Sequence, residues 1–451
     1  MKRKRILIIG GGLAGLSSAV FIKNADDENQ YDITILEASP KFGGRTYSYF
    51  DKNYDTFFDN GQHILAGWYK NTFNYLKTIG SSNLLNVQEN LEINFIDISG
   101  ETFVLKVPGV IAPFNIIFAL WKYNAIRLTD KIKLIHVLRL INVEKFNDEY
   151  LLSVSADILL TRLKQSECIR KYFWNPFIYA VFNSPATKVS AKMFVEILKH
   201  GFSGRKTSNL IIPKTDLNKL FIDPALTYLS NRGVDLKPGS RVKRIVSENG
   251  YVSSVILEND EAVECDFIIS GVPFFSFKRL FDEKEYPGNF KDSDMLRASS
   301  ITSIHVFFNE PVPETMIPLN SLGMNGLIGT KIQWVFRRSN VHLSLIISGS
   351  DFIKLDSGDT ITAEEKAHIS NLAMKELALC FDGIEKLSLK GVKVIKEKRA
   401  TFIPDNESYK YRVDASCNIG NLYVAGDWTN TGLPATIESA ITSAYNISKF
   451  F

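Results

Sequence analysis

The sequence predicts an α/β protein. A nucleotide-binding domain of βαβ type, discontinuous along the chain, is interrupted by a second domain of mixed β-sheet with a helical cap. Three observations carry that expectation. RILIIGGGLAGLSSAVFI, at the start of the chain, reads as a buried strand, a glycine turn and a helix. YDITILEA, from Tyr31 to Ala38, reads as a second strand of alternating and β-branched residues. Near the other end, NLYVAGD leads through a strand and a tight loop into a helix start, with different material between the two ends.

Size and composition agree. At 451 residues the chain exceeds one ordinary core, so two or three domains are expected. Hydrophobic content of 45% and charged content of 23% exclude wholesale disorder. A net charge of +4 offers no concentrated basic face, so no nucleic-acid partner is expected. Cys168, Cys265, Cys380 and Cys417 form no C-x-x-C pair, which argues against a zinc site or a disulfide framework and fits a reducing compartment. No metal site is expected. MKRKR followed by an apolar run imitates a secretory signal, but the glycine turn accounts for it better. No apolar run reaches the length of a membrane span, so the expected location is cytoplasmic, or peripheral on the inner face of the cytoplasmic membrane.

The elements follow in order. After the second strand comes SPKFGGRTYSY, a loop with paired glycines, and then DNGQHILAGWY. The segment from Val107 to Phe146 is apolar at first. It then carries Lys122, Arg127, Lys131, Lys133, Arg139 and Lys145 against Asp130 and Glu144, as in a basic amphipathic helix on an anionic membrane or a helical cap with a solvated face. Ala156 to His200 is mostly helical in pattern. Val234 to Pro273 alternates as a β-meander with a turn at Asn249-Gly250, and further strands lie in ITSIHVFFNEPV, KIQWVFRRS, VHLSLIISGS and GVKVIKEKRATFI. EEKAHISNLAMKELALCF is an amphipathic helix. The expected division is residues 1–90, 205–280 and 395–451 for the nucleotide domain, and 91–204 with 281–394 for the substrate domain and cap.

Gly10, Gly12 and Gly15 follow the first strand and open the helix, so that backbone N–H groups, with Leu13 and Ala14 among them, can approach a pyrophosphate. Glu37 ends the next strand at the spacing of a ribose-binding carboxylate, with Ala38 beside it. A carboxylate there repels a 2′-phosphate, which favours FAD or NAD over NADP.

Ser39-Pro40-Lys41-Phe42-Gly43-Gly44-Arg45 resembles the loop that flavoproteins of the amine oxidase and phytoene desaturase superfamily place against the FAD pyrophosphate. The resemblance implies a glutathione-reductase-like, Rossmann-type FAD-binding domain, with Gly43 and Gly44 permitting close approach and Arg45 neutralising phosphate charge. It also implies a closing Gly-Asp pair and a helix aimed at the flavin, which Gly426, Asp427, Thr436 and Ile437 match. Val242, at the head of the meander, is counted with the FAD contacts.

Further blocks resemble the hydroxysqualene dehydroxylase family. They are Asp59-Asn60-Gly61-Gln62-His63, Trp174-Asn175-Pro176 with Asn183-Ser184-Pro185-Ala186, Asp223-Pro224-Ala225, Lys398 to Phe402 and GDWTNTGLPATIES. The family implies reductive removal of the hydroxyl of a C30 isoprenoid alcohol to give squalene, as in hopanoid synthesis. Such chemistry needs a dry cavity, a proton donor and a placed flavin. His63, Asp59 and Glu438 are the candidate donors, His63 because an ordinary imidazole titrates near neutrality. Gly61, Gln62 and His63 are also expected beside the flavin, and Tyr179 and Asn183 beside the substrate. The alternative is a carotenoid or diapophytoene-type desaturase, against which Leu433-Pro434-Ala435-Thr436 weighs because that group carries more glycine there. An amine oxidase, or a flavin-binding scaffold without turnover, fits less well.

Overall fold

The computed structural model describes residues 3–451 except 111–113, 143–145, 203, 205, 283–285, 291, 319 and 354–361. In chain order, β1 (Lys4–Ile9), α1 (Leu13–Ala25) and β2 (Tyr31–Glu37) form the opening βαβ unit. A hairpin of β3 (Ser48–Asp51) and β4 (Thr56–Asp59) precedes α2 (Lys70–Thr78). Then come β5 (Glu92–Asp97), β6 (Thr102–Lys106), α3 (Phe114–Lys122), α4 (Leu128–Asn142) and α5 (Asn175–Phe182). The chain continues through β7 (Asp235–Pro238), the meander β8 (Val242–Glu248), β9 (Tyr251–Leu257) and β10 (Ala262–Glu264), and β11 (Phe267–Ser270). It next lays down β12 (Ala298–Phe308), β13 (Met324–Ile328), β14 (Trp334–Ser339), β15 (His342–Ser348), α6 (Ala363–Cys380) and β16 (Leu389–Phe402). β17 (Leu422–Val424) and α7 (Ile437–Ser448) end it.

Five strands from distant parts of the chain pair in parallel in the order β7-β2-β1-β11-β17. Parallel strands are covered on both faces, which is why β1 and β11 read as nearly continuous apolar runs. Ile6 and Ile8 pack on one side with Leu16 and Val20 of α1 and Ile441 and Ala444 of α7. The second sheet has seven strands in the order β16-β12-β15-β14-β13-β5-β6, antiparallel except where β13 meets β5. Its outer face, with Ile304, Leu343 and Leu345, is sealed by Ile369, Ala373 and Leu377 of α6. Its inner face, with Phe95, Trp334 and Phe336, packs in one cluster with Leu120 of α3 and Phe173, which lies just before α5.

The boundary expected at residue 395 falls inside β16. Residues up to Phe402 pair with β12, so they continue the second sheet instead of returning to the first domain. Alternation alone could not reveal that one long strand serves a single sheet. Glu144 and Lys145 of the basic segment lie outside the described residues.

The opening turn is tightly packed. Gly10 has φ +101°, and a Cβ at Gly15 would lie 1.9 Å from the Gly10 carbonyl oxygen. Gly15→Ala must therefore push α1 away from β1, and overpacking of this kind costs about 1–3 kcal/mol. A clear drop in the midpoint of chemical unfolding is expected, and an unchanged midpoint would show that the turn has room the structure does not contain.

Candidate flavin site and apolar cavity

The glycine turn and the paired-glycine loop lie back to back. Gly43 donates its N–H to the Gly11 carbonyl at 2.9 Å, and Gly12 bridges Gly43 in parallel fashion. Glu37 clasps the arrangement, accepting the Gly11 N–H at 2.6 Å and the Ser39 N–H at 2.7 Å. Its carboxylate thus holds the turn as well as standing where a ribose would come. Leu13 and Ala14 are buried in the first turn of α1. Ala38 and the turn before Val242 border a surface cleft of about 500 Å³, at the end of the site where the adenosine of a dinucleotide belongs.

Arg45 and Asp427 meet directly: Nη2 lies 2.6 Å from Oδ1, while Nη1 donates to the Ala400 carbonyl at 2.7 Å. Burial works against the charged guanidinium, but Asp427 and Glu397 outweigh it and hold its pKa above the ordinary value. Gly426 donates its N–H to Ser443 Oγ of α7 at 2.8 Å, which fixes the Gly-Asp turn on the helix behind it. Trp428 is buried, its indole N–H donating to the Val272 carbonyl at 3.0 Å. Thr436 caps α7 by accepting the Ser439 N–H at 3.1 Å, and Ile437 begins the helix.

Of the residues singled out from sequence, several stand differently from expectation. Asp59 is buried in β4, accepting from Ser48 Oγ at 2.6 Å and facing Arg338 of the second sheet at 3.5 Å. Burial raises its pKa. Glu438 accepts the N–H groups of Asn71 and Thr72 at 2.9 and 2.8 Å, and the Thr72 hydroxyl at 2.7 Å. It therefore caps the N-terminus of α2, a neighbouring helix, with both oxygens engaged as acceptors. Burial lifts its pKa against those donors. Asn183 has its amide engaged, donating to Thr401 Oγ1 at 3.0 Å and accepting the Gly349 N–H at 2.6 Å. Tyr179 turns towards Gly349 as well, whereas Pro176, Phe177, Ala180 and Val181 of the same helix line the cavity described next.

His63 lies half-buried in the loop after β4 and makes no side-chain hydrogen bond within the described chain. Burial, reinforced by the charge of Arg45, pushes its imidazole down to about 4. The expected titration near neutrality does not hold, because sequence spacing shows neither how far a histidine will be buried nor which charge will stand beside it. Gln62 next to it has a buried Nε2 with no partner.

A second cavity, of about 200 Å³, is almost wholly apolar. It extends between Ile64, Tyr69 and Thr436 at the α7 end and Ile116, Ala119 and Leu120 of α3, with Phe95, Leu105 and Phe177 between. Tyr69 on its wall hydrogen-bonds the Thr436 side chain, and burial raises its phenol pKa. Sequence reasoning missed Tyr69 and Trp334 as cavity residues, since nothing in their type or spacing separates them from ordinary core aromatics.

The residues fit FAD on structural grounds. Two glycine loops leave a side-chain-free cradle, the α7 N-terminus supplies a positive helix end, and Gln62 offers an unmatched buried donor. Among the described residues no cluster of His, Cys, Asp and Glu could hold a metal ion.

The depressed His63 pKa has a consequence for stability. Between its ordinary value of 6.5 and about 4, the unfolded chain binds a proton that native His63 refuses. Stability must therefore fall as pH drops through that window. His63→Asn should reduce, though not abolish, the difference between unfolding midpoints at pH 7 and pH 5, since His305 and His342 are also held low by burial. An identical pH dependence in the variant would contradict the burial described for His63.

The chain is similar to known flavin enzymes along nearly its whole length. The hydroxysqualene dehydroxylase of Zymomonas mobilis is 28% identical over 440 residues, covering 97% of this chain and 96% of its own. The 15-cis-phytoene desaturase of Arabidopsis thaliana is 24% identical over 465 residues, covering 98% of this chain and 79% of its own. The crystal structure of an oxidoreductase from Methanosarcina mazei superposes with a TM-score of 0.72 at 16% identity, over 99% of this chain and all of that one. The model of the flavin containing amine oxidoreductases matches residues 13–449. With that match across nearly its whole length, and with a flavin cradle built from both of its ends, the chain belongs to the flavin containing amine oxidoreductase family and is an FAD-dependent oxidoreductase.

Proposed function

We propose that this enzyme removes the hydroxyl group of hydroxysqualene reductively, giving squalene and water. The observation that carries the reading is the apolar cavity between the α7 N-terminus and α3, whose almost wholly hydrocarbon lining matches an isoprenoid chain. Full-length likeness to proteins named for this reaction supports it.

The C–O bond breaks and a C–H bond forms, so the alcohol takes up a hydride and a proton and releases one water. FAD, bound in its reduced form, supplies hydride chemistry. The chain supplies the rest. Gly12, Gly43 and Arg45 would hold the pyrophosphate, Asp427 with Arg45 would orient the cofactor, and the helix end at Thr436 and Ile437 would offer positive potential to its ring. Aromatic and aliphatic walls exclude water, which protects a carbocation-like centre. We assign the proton to an imidazole nitrogen of His63, because Asp59 and Glu438 have their carboxylate oxygens committed to other partners. Neutral at rest, His63 takes up that proton only when acid or an anionic group in the site favours it.

Likeness to a phytoene desaturase keeps a second reading in view, in which the same cavity holds a polyene that is oxidised. Anaerobic incubation of the reduced enzyme with hydroxysqualene, and of the oxidised enzyme with phytoene, separates the two by product mass. Squalene in the first mixture is expected, while a desaturated polyene in the second, with no squalene in the first, would overturn the reading.

We further infer that the protein rests on the membrane that dissolves its substrate. On α3, Phe114, Phe118 and Trp121 are 59%, 51% and 65% exposed, and Leu128 and Ile132 of α4 are 55% and 62% exposed. Lys122, Arg127 and Lys133 lie exposed among them, complementary to anionic lipid headgroups. The opposite face of α3 lines the cavity, so one helix would separate bilayer from substrate site. No helix among the described residues is long and apolar enough to cross a membrane, so attachment would be peripheral. The wild type should co-sediment with vesicles containing phosphatidylglycerol at low salt, and Phe118→Ser with Trp121→Ser should weaken this several-fold. Absence of wild-type binding would reject the membrane reading.

A further inference from the structure

An indole N–H buried without a partner is a costly feature unless something absent from the free chain completes it. Trp334 presents such a group. It opens β14, is 6% exposed, lines the apolar cavity, and its Nε1 has no hydrogen-bond partner. Among the described residues it is the one cavity-lining side chain with a buried, unpartnered polar atom. The other polar groups on the wall are accounted for. Thr207 is bonded to the backbone of Gly201 and Gly204, Thr436 caps α7, and Tyr69 bonds Thr436. Trp68 and Ser208 are only half-buried.

The ring is held where it is by its neighbours. Trp334 pairs with Gly326 on one side and Ile346 on the other. A Cβ on Gly326 would stand 2.6 Å from the Phe95 ring and 3.3 Å from Trp334 Cζ3, so only glycine lets both rings lie against that strand. Cζ3 belongs to the benzo edge of the indole, and the N–H lies across the ring from it. The donor therefore faces away from Phe95 and Gly326. The same sheet face continues polar: Ser303 shares the row of Ile346 and Trp334, and His305 and Ser344 share the next. All three have a buried atom without a partner. None of these three lines the cavity, so among the described residues the Trp334 N–H is the unpartnered buried donor that the sheet brings to its wall.

We propose that the Trp334 N–H is the recognition point for the single oxygen of the substrate, donating to the hydroxyl that is to be lost. This rests on the function proposed above and adds to it the residue that decides which part of the isoprenoid enters the site. A substrate that is hydrocarbon except at one carbon can slide along an apolar channel, and burying its hydroxyl without a partner would oppose binding. One fixed donor converts that penalty into register: the chain settles only where the oxygen meets the indole. The same donor, left unmatched by squalene, favours release of the product, since a site built to bond a hydroxyl discriminates against the analogue that lacks it. A carbonyl of the bound flavin is the other acceptor of the same chemistry, and the test must separate the two.

Trp334→Phe keeps an aromatic ring and removes the donor. The FAD-loaded variant should keep the wild-type flavin absorption spectrum, show a KM for hydroxysqualene raised about 5- to 10-fold, and be inhibited by squalene within about twofold of wild type. Equal weakening towards hydroxysqualene and squalene would overturn the proposal in favour of simple ring packing. A shifted flavin spectrum with unchanged KM would assign the donor to the flavin. Unchanged KM with an unchanged spectrum would overturn the proposal outright. A wild type that never converts hydroxysqualene would instead remove the underlying function. Should the variant not fold, the wild type labelled with nitrogen-15 at its five tryptophans answers the same question. With the signals of Trp68, Trp121, Trp174 and Trp428 assigned by their own Phe variants, the remaining indole N–H must shift with hydroxysqualene and not with squalene. No shift, or the same shift with both, overturns the proposal.

Discussion

One guanidinium ties the molecule together. Arg45 comes from the glycine loop near the start of the chain, Asp427 lies 382 residues further on, and Ala400 belongs to the second sheet. The ion pair and the carbonyl contact bring three otherwise independent segments to a common point, beside the place where phosphate and flavin belong. A charge drawn partly out of water must be met by hydrogen-bonding partners or it opposes folding. Asp427 meets it here. Burial holds the neighbouring His63 neutral, and the same charge reinforces it.

How much of this was legible in the sequence depended on the kind of constraint. Backbone constraints were legible, because a turn that admits no Cβ must be glycine and says so in one letter. Gly10 and Gly15 are such positions, the one by its positive φ and the other by the clash a Cβ would make. Partnership was not legible. Glu438 looks like the acidic residue of its own helix start, yet its oxygens serve α2. Asp59 and Asn183 are polar residues in suggestive motifs, but the structure commits them to holding elements together. The cavity was least legible of all. Its wall draws on residues from Ile64 to Thr436, and no periodicity marks an aromatic side chain as facing empty space instead of a neighbour.

The two sheets divide the labour in a way that follows from their exposure. Parallel strands of the first are buried on both faces and leave only their loop ends available, so the cofactor is bound by turns and helix ends. The second sheet has one face sealed by α6, while the other packs under the cap helices and lends Phe95 and Trp334 to the cavity wall. The outer surface of those helices is greasy and basic.

β16 runs for fourteen residues, paired with β12 along most of its length, and ends beside the carbonyl that Arg45 grips. It works as a ruler. The separation between the glycine loops and the side-chain rows of the second sheet is written into a paired strand that cannot stretch, and a one-residue slip would reverse its faces. New substrates can then be accommodated by reshaping the helical cap or exchanging residues on the sheet face beneath it. The reach from cofactor to sheet stays the same, and a lineage of such enzymes would vary in its lid long before it varied in its span.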